Sequence, residues 1–209
     1  MQFLPPPIIL NHLCLGFADL QQVVLEGFTL PHAYTFKYLG FWVSADGDTW
    51  QGMEKRLEQA ADRFRVLGKV WRAAEIGGKL KLRIYVAGVL SVAAYSSECW
   101  VLGEKEERYL QAWNARRLAV ITGRSIREEY QHPVRSLVGL IRRRRLQWLG
   151  RVLRERRDSL VGRCVLEAAQ QSKKGDGSVF QDVPGWVEVQ ELVEAAEDGG
   201  WWKELMDSV

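Results

Sequence analysis

Residues 140–154 read L-I-R-R-R-R-L-Q-W-L-G-R-V-L-R, and side chains of these types at this spacing suit one chemistry, the binding of a polyanion. A guanidinium is planar, permanently charged and able to hold two phosphate oxygens at once, and it neither titrates nor attacks. Leu146, Leu149, Val152 and Leu153 recur at helical intervals, so the segment reads as an amphipathic helix. At about 100° per residue, Arg143, Arg144, Gln147, Arg151 and Arg154 share the outward arc, and Ile141, Trp148, Leu149 and Val152 the opposite one. Arg142 and Arg145 fall on the apolar side, where a guanidinium must snorkel, pair with an acid or be covered by a phosphate. The candidate nucleic-acid-binding residues are therefore Arg142, Arg143, Arg144, Arg145, Gln147, Arg151 and Arg154. The plain alternative is a solvated helical face. Trp148, on the apolar stripe, belongs to a core rather than to a base-stacking platform.

The charge of the whole chain sharpens this reading. A formal net charge of +3 over 209 residues conceals a strong segregation. Residues 1–107 carry 11 basic and 12 acidic side chains, residues 108–163 carry 15 and 4, and residues 164–209 carry 3 and 10. All 15 basic residues of the middle block are arginine. An acidic end folded back onto residues 142–145 would compete with nucleic acid for them, so an intramolecular acidic tail is a candidate partner.

Other chemistries find little support. The cysteines, Cys14, Cys99 and Cys164, are odd in number and far apart, and with His12, His32 and His132 they form no C-x-x-C or zinc-knuckle spacing. No Ser/His/Asp order and no glycine-rich phosphate loop occurs, so no catalytic residue, metal or cofactor is expected. The first ten residues, M-Q-F-L-P-P-P-I-I-L, lack a basic start and are broken by prolines, and the longest apolar run, 84–95, is too short to span a bilayer. The expectation is an intracellular chain, nuclear or cytoplasmic, without a membrane role.

Positioning the arginines requires a frame, and the spacing predicts a mainly α one: a helical bundle with a small β element near residues 36–43. Residues 1–34 read as an irregular N-terminal arm. F-K-Y-L-G-F-W-V at 36–43 reads as a strand entering a turn at S-A-D-G-D, with Thr49 as the N-cap of a helix. Met53, Leu57, Ala60, Phe64, Leu67 and Trp71 give that helix one packing stripe, which Gly77 and Gly78 stop. Residues 79–96 read as a helix apolar nearly all round, with a strand as the competing reading of 84–95. Further helices are expected at 104–121 (closed by Gly123), 139–157 and 160–171. By domain, 35–165 is the main helical unit, 166–186 a linker centred on S-K-K-G-D-G-S, and 187–209 an acidic helical tail.

The order of these pieces resembles the region that follows the catalytic palm in reverse transcriptases of non-LTR (LINE-type) retrotransposons. The resemblance runs from about Phe36 to Cys164. F-K-Y-L-G at 36–40 is similar to the segment that closes the palm beside the primer strand. V-W-R at 70–72, K-L-K-L-R-I-Y at 79–85 and V-L-S-V-A-A-Y-S-S-E-C-W at 89–100 follow in the family's order and look like its thumb. R-R-R-R-L-Q-W-L-G-R-V-L-R at 142–154 resembles its R-R-L-x-W-L-G-H-V-x-R signature, with Arg151 where the family carries histidine. Asp198 to Met206, with its paired tryptophans, is a looser match.

The resemblance implies a thumb-like fragment that grips an RNA–DNA hybrid, or another nucleic acid duplex, by its phosphates. Polymerase chemistry needs clustered carboxylates to hold two Mg²⁺ ions. G-F-A-D-L at 16–20 imitates the catalytic F/Y-A-D-D turn but has Leu20 at the second carboxylate, so no enzyme activity is expected of the chain itself. The alternatives are a helical protein-interaction module and a non-functional transposon relic with uncovered apolar surface. Oligomeric state is not legible.

Overall fold

In a computed structural model of the chain, the described residues are 24–25, 28–29, 33–130, 136–155, 158–172, 177–184 and 188–208. The fold is mainly α with small antiparallel β elements, as the periodicity predicts. Within the segment read as an irregular arm, β1 (Val24–Leu25) pairs with β2 (Phe28–Thr29). The G-F-A-D-L stretch and His12, Cys14, His32 and His132 lie outside the described residues.

The single strand expected at 36–43 is a hairpin: β3 (Thr35–Tyr38) and β4 (Phe41–Ser44) pair in antiparallel register, Tyr38 opposite Phe41. Leu39 and Gly40 make the two-residue turn, with φ of +46° and +83°. Positive φ at both central positions matches the right-handed twist of the strands, and glycine supplies one of them without steric cost. Phe41 is buried, whereas Phe36, Tyr38 and Leu39 face solvent.

Helix α1 (Trp50–Val66) carries the expected stripe: Met53, Leu57 and Ala60 are buried and Phe64 packs beside them. The stripe continues through a break at Leu67 into α2 (Gly68–Arg72), which buries Trp71. Thr49 stands at the N-cap but does not cap: its hydroxyl accepts the Val101 N–H at 3.1 Å, and the Asp48 carboxylate takes the Trp50 N–H at 2.9 Å. Gly77 and Gly78 open the next helix rather than end this one. Helix α3 (Gly78–Tyr85) runs on through a π turn, Val86–Leu90, to Ser91–Ala93, which settles 84–95 as helix rather than strand.

Helix α4 (Glu104–Thr122) opens with three acids in its first turn, where the helix dipole favours them, and the Glu106 carboxylate accepts the Gly103 N–H at 3.0 Å. Gly123, at φ +73°, closes it as expected. The short α5 (Ile126–Tyr130) follows, then the arginine-rich α6 (Leu137–Glu155) and α7 (Leu160–Gln171), the latter capped by the Ser159 hydroxyl on the Gly162 N–H at 3.2 Å. The acidic end forms α8 (Val189–Glu197) and α9 (Gly199–Ser208).

Two hydrophobic cores result. The first draws on the hairpin and α1 to α4, with the start of α6; Trp71, Trp100 and Trp113 are buried in it. The second is built by Leu146, Leu149, Val152 and Leu153 of α6 with α7, residues 179–183, α8 and α9. Helix α6 thus belongs to both. The stretch read as a linker, 166–186, is structural where it is described: its first part completes α7, and Ser178, Val179 and Phe180 are buried.

Candidate nucleic-acid interface

The geometry of α6 follows from its two-sided burial. Its apolar residues face the cores, so the solvent arc is left to Arg143, Gln147, Arg151 and Arg154, all exposed and spaced by 4, 4 and 3 residues. Each four-residue step advances about 6 Å along the axis. Arg151 and Gln147 project into solvent in the middle of this row. Trp148 is half-buried against the second core, in keeping with its place on the apolar stripe.

Arg145 is a correction to the candidate set. Its side chain is 1% exposed, and its Nε lies 3.0 Å from an oxygen of Asp182, itself 5% exposed. A second guanidinium nitrogen, Nη2, donates to the Gly177 carbonyl at 3.0 Å. Of the three fates open to a guanidinium on the apolar side, the fold uses pairing with an acid, which leaves no access for phosphate. Arg142 sits one turn earlier on the same side, bonded to Glu107 and 3.6 Å from Asp182. Burial is the largest influence on the Asp182 carboxyl and pushes it up to about 6, against the opposing pull of Arg145 and Arg142.

Gly177 is the hinge pin of this arrangement. Its carbonyl also accepts the Leu102 N–H at 2.9 Å, so one oxygen ties the start of α4 to Arg145. At φ +74°, and with the backbone of Leu102 so close that a Cβ would lie 2.9 Å from it, the position suits only glycine.

Arg144, placed on the outward arc by the helical wheel, is half-buried and donates to the Ala94 carbonyl at 2.6 Å. The cause is the turn at 94–100, which packs on that flank of α6 and leaves a carbonyl needing a donor. Arg143 is paired with Asp207 of α9. Arg154 donates to the Ala196 carbonyl at 2.8 Å, at the C-terminal end of α8 where backbone carbonyls lack helical partners. The tail itself is anchored by Trp202, whose indole N–H donates to the Leu146 carbonyl at 3.0 Å. Its ring lies so close over Gly150 that a Cβ there would collide with it.

Beside this helix, a cleft of about 320 Å³ is lined by Glu104, Glu107, Arg108, Gln111 and Tyr130 among others. Its two carboxylates are already paired, Glu104 with Arg108 and Glu107 with Arg142. Among the described residues no group of histidine, cysteine, aspartate and glutamate could hold a metal ion, and no helix is long and apolar enough to cross a membrane. Cys99 is free, and burial pushes its thiol up to about 12, far from a reactive thiolate.

No protein family, curated protein or solved structure matches this chain. The residues that sequence reasoning did not single out are the counter-groups: Asp182, Asp207, Gly177 and Trp202. One signal points to the first of them. Two arginines three residues apart on an apolar stripe must snorkel, pair with an acid or meet a phosphate, and nothing in the local sequence says which, or which acid would serve.

Proposed function

We propose that the chain is a helical module that grips the phosphate backbone of a nucleic acid duplex through the solvent face of α6, and that it derives from a non-LTR reverse transcriptase without catalysing polymerisation itself. The observation that carries the reading is the exposed row Arg143, Gln147, Arg151 and Arg154, mounted on a helix fixed by two cores. Side chains held on a rigid element lose less freedom when they meet a ligand than side chains on a loop. Arginines meeting phosphates give affinity with little sequence information, and Gln147 can reach a sugar or base edge. Arg142 and Arg144 stand at the margin of this surface, and Arg145 inside it holds the helix in place.

The retrotransposon origin rests on the ordered segments 36–40, 70–72, 79–85, 89–100 and 142–154. The solvent-facing Phe36, Tyr38 and Leu39 suit a hairpin that a palm would cover in an intact polymerase.

The test is binding of the full chain to a labelled RNA–DNA hybrid across a salt series, beside an Arg143→Ala/Arg151→Ala variant. Both residues are exposed, so the variant keeps its fold. Wild-type affinity should fall steeply with salt. In the variant it should drop, and the slope of log affinity against log salt should flatten by about 0.9 for each phosphate that is no longer neutralised. A folded wild type that leaves the hybrid unbound at low salt would end the reading.

A further inference from the structure

We infer that the acidic C-terminal end is a built-in competitor for this surface: α8 and α9 hold the arginines of α6 with groups that stand where phosphates would. The inference rests on the proposed nucleic-acid role of α6 and assigns that surface its regulation.

Two interactions carry it, one from each helix of the acidic end. Asp207, in the last turn of α9, pairs with Arg143 at one end of the exposed row. The Ala196 carbonyl, in the last turn of α8, accepts from Arg154 at the other end, so the negative pole of that helix lies against the guanidinium. Between them, Asp182 holds Arg145 and Arg142 from beneath. A carboxylate presents two oxygens to a guanidinium fork in the way a phosphate does, so one acid and one phosphate cannot occupy the same fork together. The Trp202 anchor on Leu146 and Gly150 sets the register of α9 along α6 and brings Asp207 to Arg143. The charge segregation of the chain, 15 arginines against 4 acids in 108–163 and 10 acids against 3 lysines in 164–209, is the sequence counterpart of this arrangement.

These interactions differ in how readily they yield. Arg145–Asp182 is buried and belongs to the fold. Arg143–Asp207 is solvent-exposed on both sides, with side chains 54% and 52% exposed, and is the pair that an incoming phosphate can displace. Competition is therefore graded: Arg151 and Gln147 meet the duplex first, and Arg143 is recruited by exchanging Asp207 for a phosphate. Phosphate competing against an exposed carboxylate loses a few-fold in affinity at low salt, and less as salt screens both.

The experiment is a double-mutant cycle on the full chain, read by fluorescence anisotropy of a labelled RNA–DNA hybrid at low and high salt. Asp207→Asn removes the competing charge near the C-terminal end of α9, where an acid is unfavourable to the helix dipole, so the variant folds. It should bind about three-fold more tightly than wild type at low salt, and equally at about 0.3 M salt. In an Arg143→Ala background the same change should bring no gain. Glu204→Gln, removing an equal charge from another exposed residue of α9, should leave affinity within about 1.5-fold of wild type.

If Asp207→Asn leaves affinity unchanged while Arg143→Ala weakens it, the arginine grips nucleic acid but the tail does not compete. A gain that persists in the Arg143→Ala background would assign the effect to net charge and overturn the specific pairing. If wild type and Asp207→Asn both fail to bind the hybrid, the nucleic-acid reading falls, and the competition with it.

Discussion

At the scale of single residues, the buried ion pair Arg145–Asp182 places a heavy electrostatic demand on the fold. Taking two charges out of water costs several kcal/mol each, and their attraction offsets this only in good geometry. The balance is visible in Asp182, whose carboxyl sits at about 6 against an ordinary value of 3.8, with burial as the dominant cause. The sign of the pH dependence follows. The folded state binds this proton more tightly than the unfolded state, so Asp182's contribution to stability rises as pH falls from 7 through 6 toward 4. Asp182→Asn keeps the shape but cannot take up the proton. Urea unfolding of the two proteins at pH 7 and pH 4.5 should therefore show the wild type gaining on the variant at the lower pH; parallel pH dependences would show that Asp182 titrates normally. That Arg142 and Arg145 fall on the apolar side, with an acid as one of three possible partners, is legible in the sequence. The identity of the acid is not, because 37 positions separate Arg145 from Asp182 and no local pattern spans them.

At the scale of elements, legibility tracks periodicity. The stripe from Met53 to Trp71 repeats at helical spacing and is helical in the fold, whereas the run after Lys79, apolar nearly all round, leaves strand open for 84–95 and is also helical. Gly123 is readable as a helix terminator because αL residues after a last turn are usually glycine. The hairpin is not readable as two strands: its turn is Leu39–Gly40, and leucine is a poor residue for φ +46°. Primed turns favour Asn-Gly, in which the asparagine tolerates positive φ. Leu39 is 68% exposed, so its side chain contributes little packing, and its carbonyl still accepts from the Tyr95 hydroxyl at 3.1 Å. Leu39→Asn should therefore stabilise the chain by about 0.5–1 kcal/mol, measured as a higher urea midpoint at unchanged slope. A lower midpoint would mean that Leu39 contributes packing the exposed hairpin does not suggest.

At the scale of the whole molecule, α6 is the shared wall of two cores, and this separates the competing tail from a detachable one. Charge segregation alone suggests a tail that could be cut away to free the arginines. The packing says otherwise. Val179, Phe180, Val183, Leu192, Val193, Ala196, Trp202 and Leu205 are all buried in the second core against Leu146, Leu149, Val152 and Leu153. At about 1.5–3 kcal/mol for each large side chain, the apolar burial that residues 177–209 supply is comparable to the entire stability of a domain, about 5–15 kcal/mol. The deletion would also strip Arg145 of Asp182 and of the Gly177 carbonyl, weakening what holds its charge inside α6. A chain ending at 176 should accordingly lose the helix of α7 and the rear of α6 while keeping the first core around Trp71, Trp100 and Trp113. Far-UV circular dichroism should fall by more than the deleted α8 and α9 account for, dye binding should report exposed apolar surface, and gel filtration should show association. A monomeric truncated chain that melts at the wild-type temperature would show that the second core is dispensable. The acidic end would then be an appendage, and the exchange of Asp207 for phosphate would no longer require α9 to stay docked on Gly150.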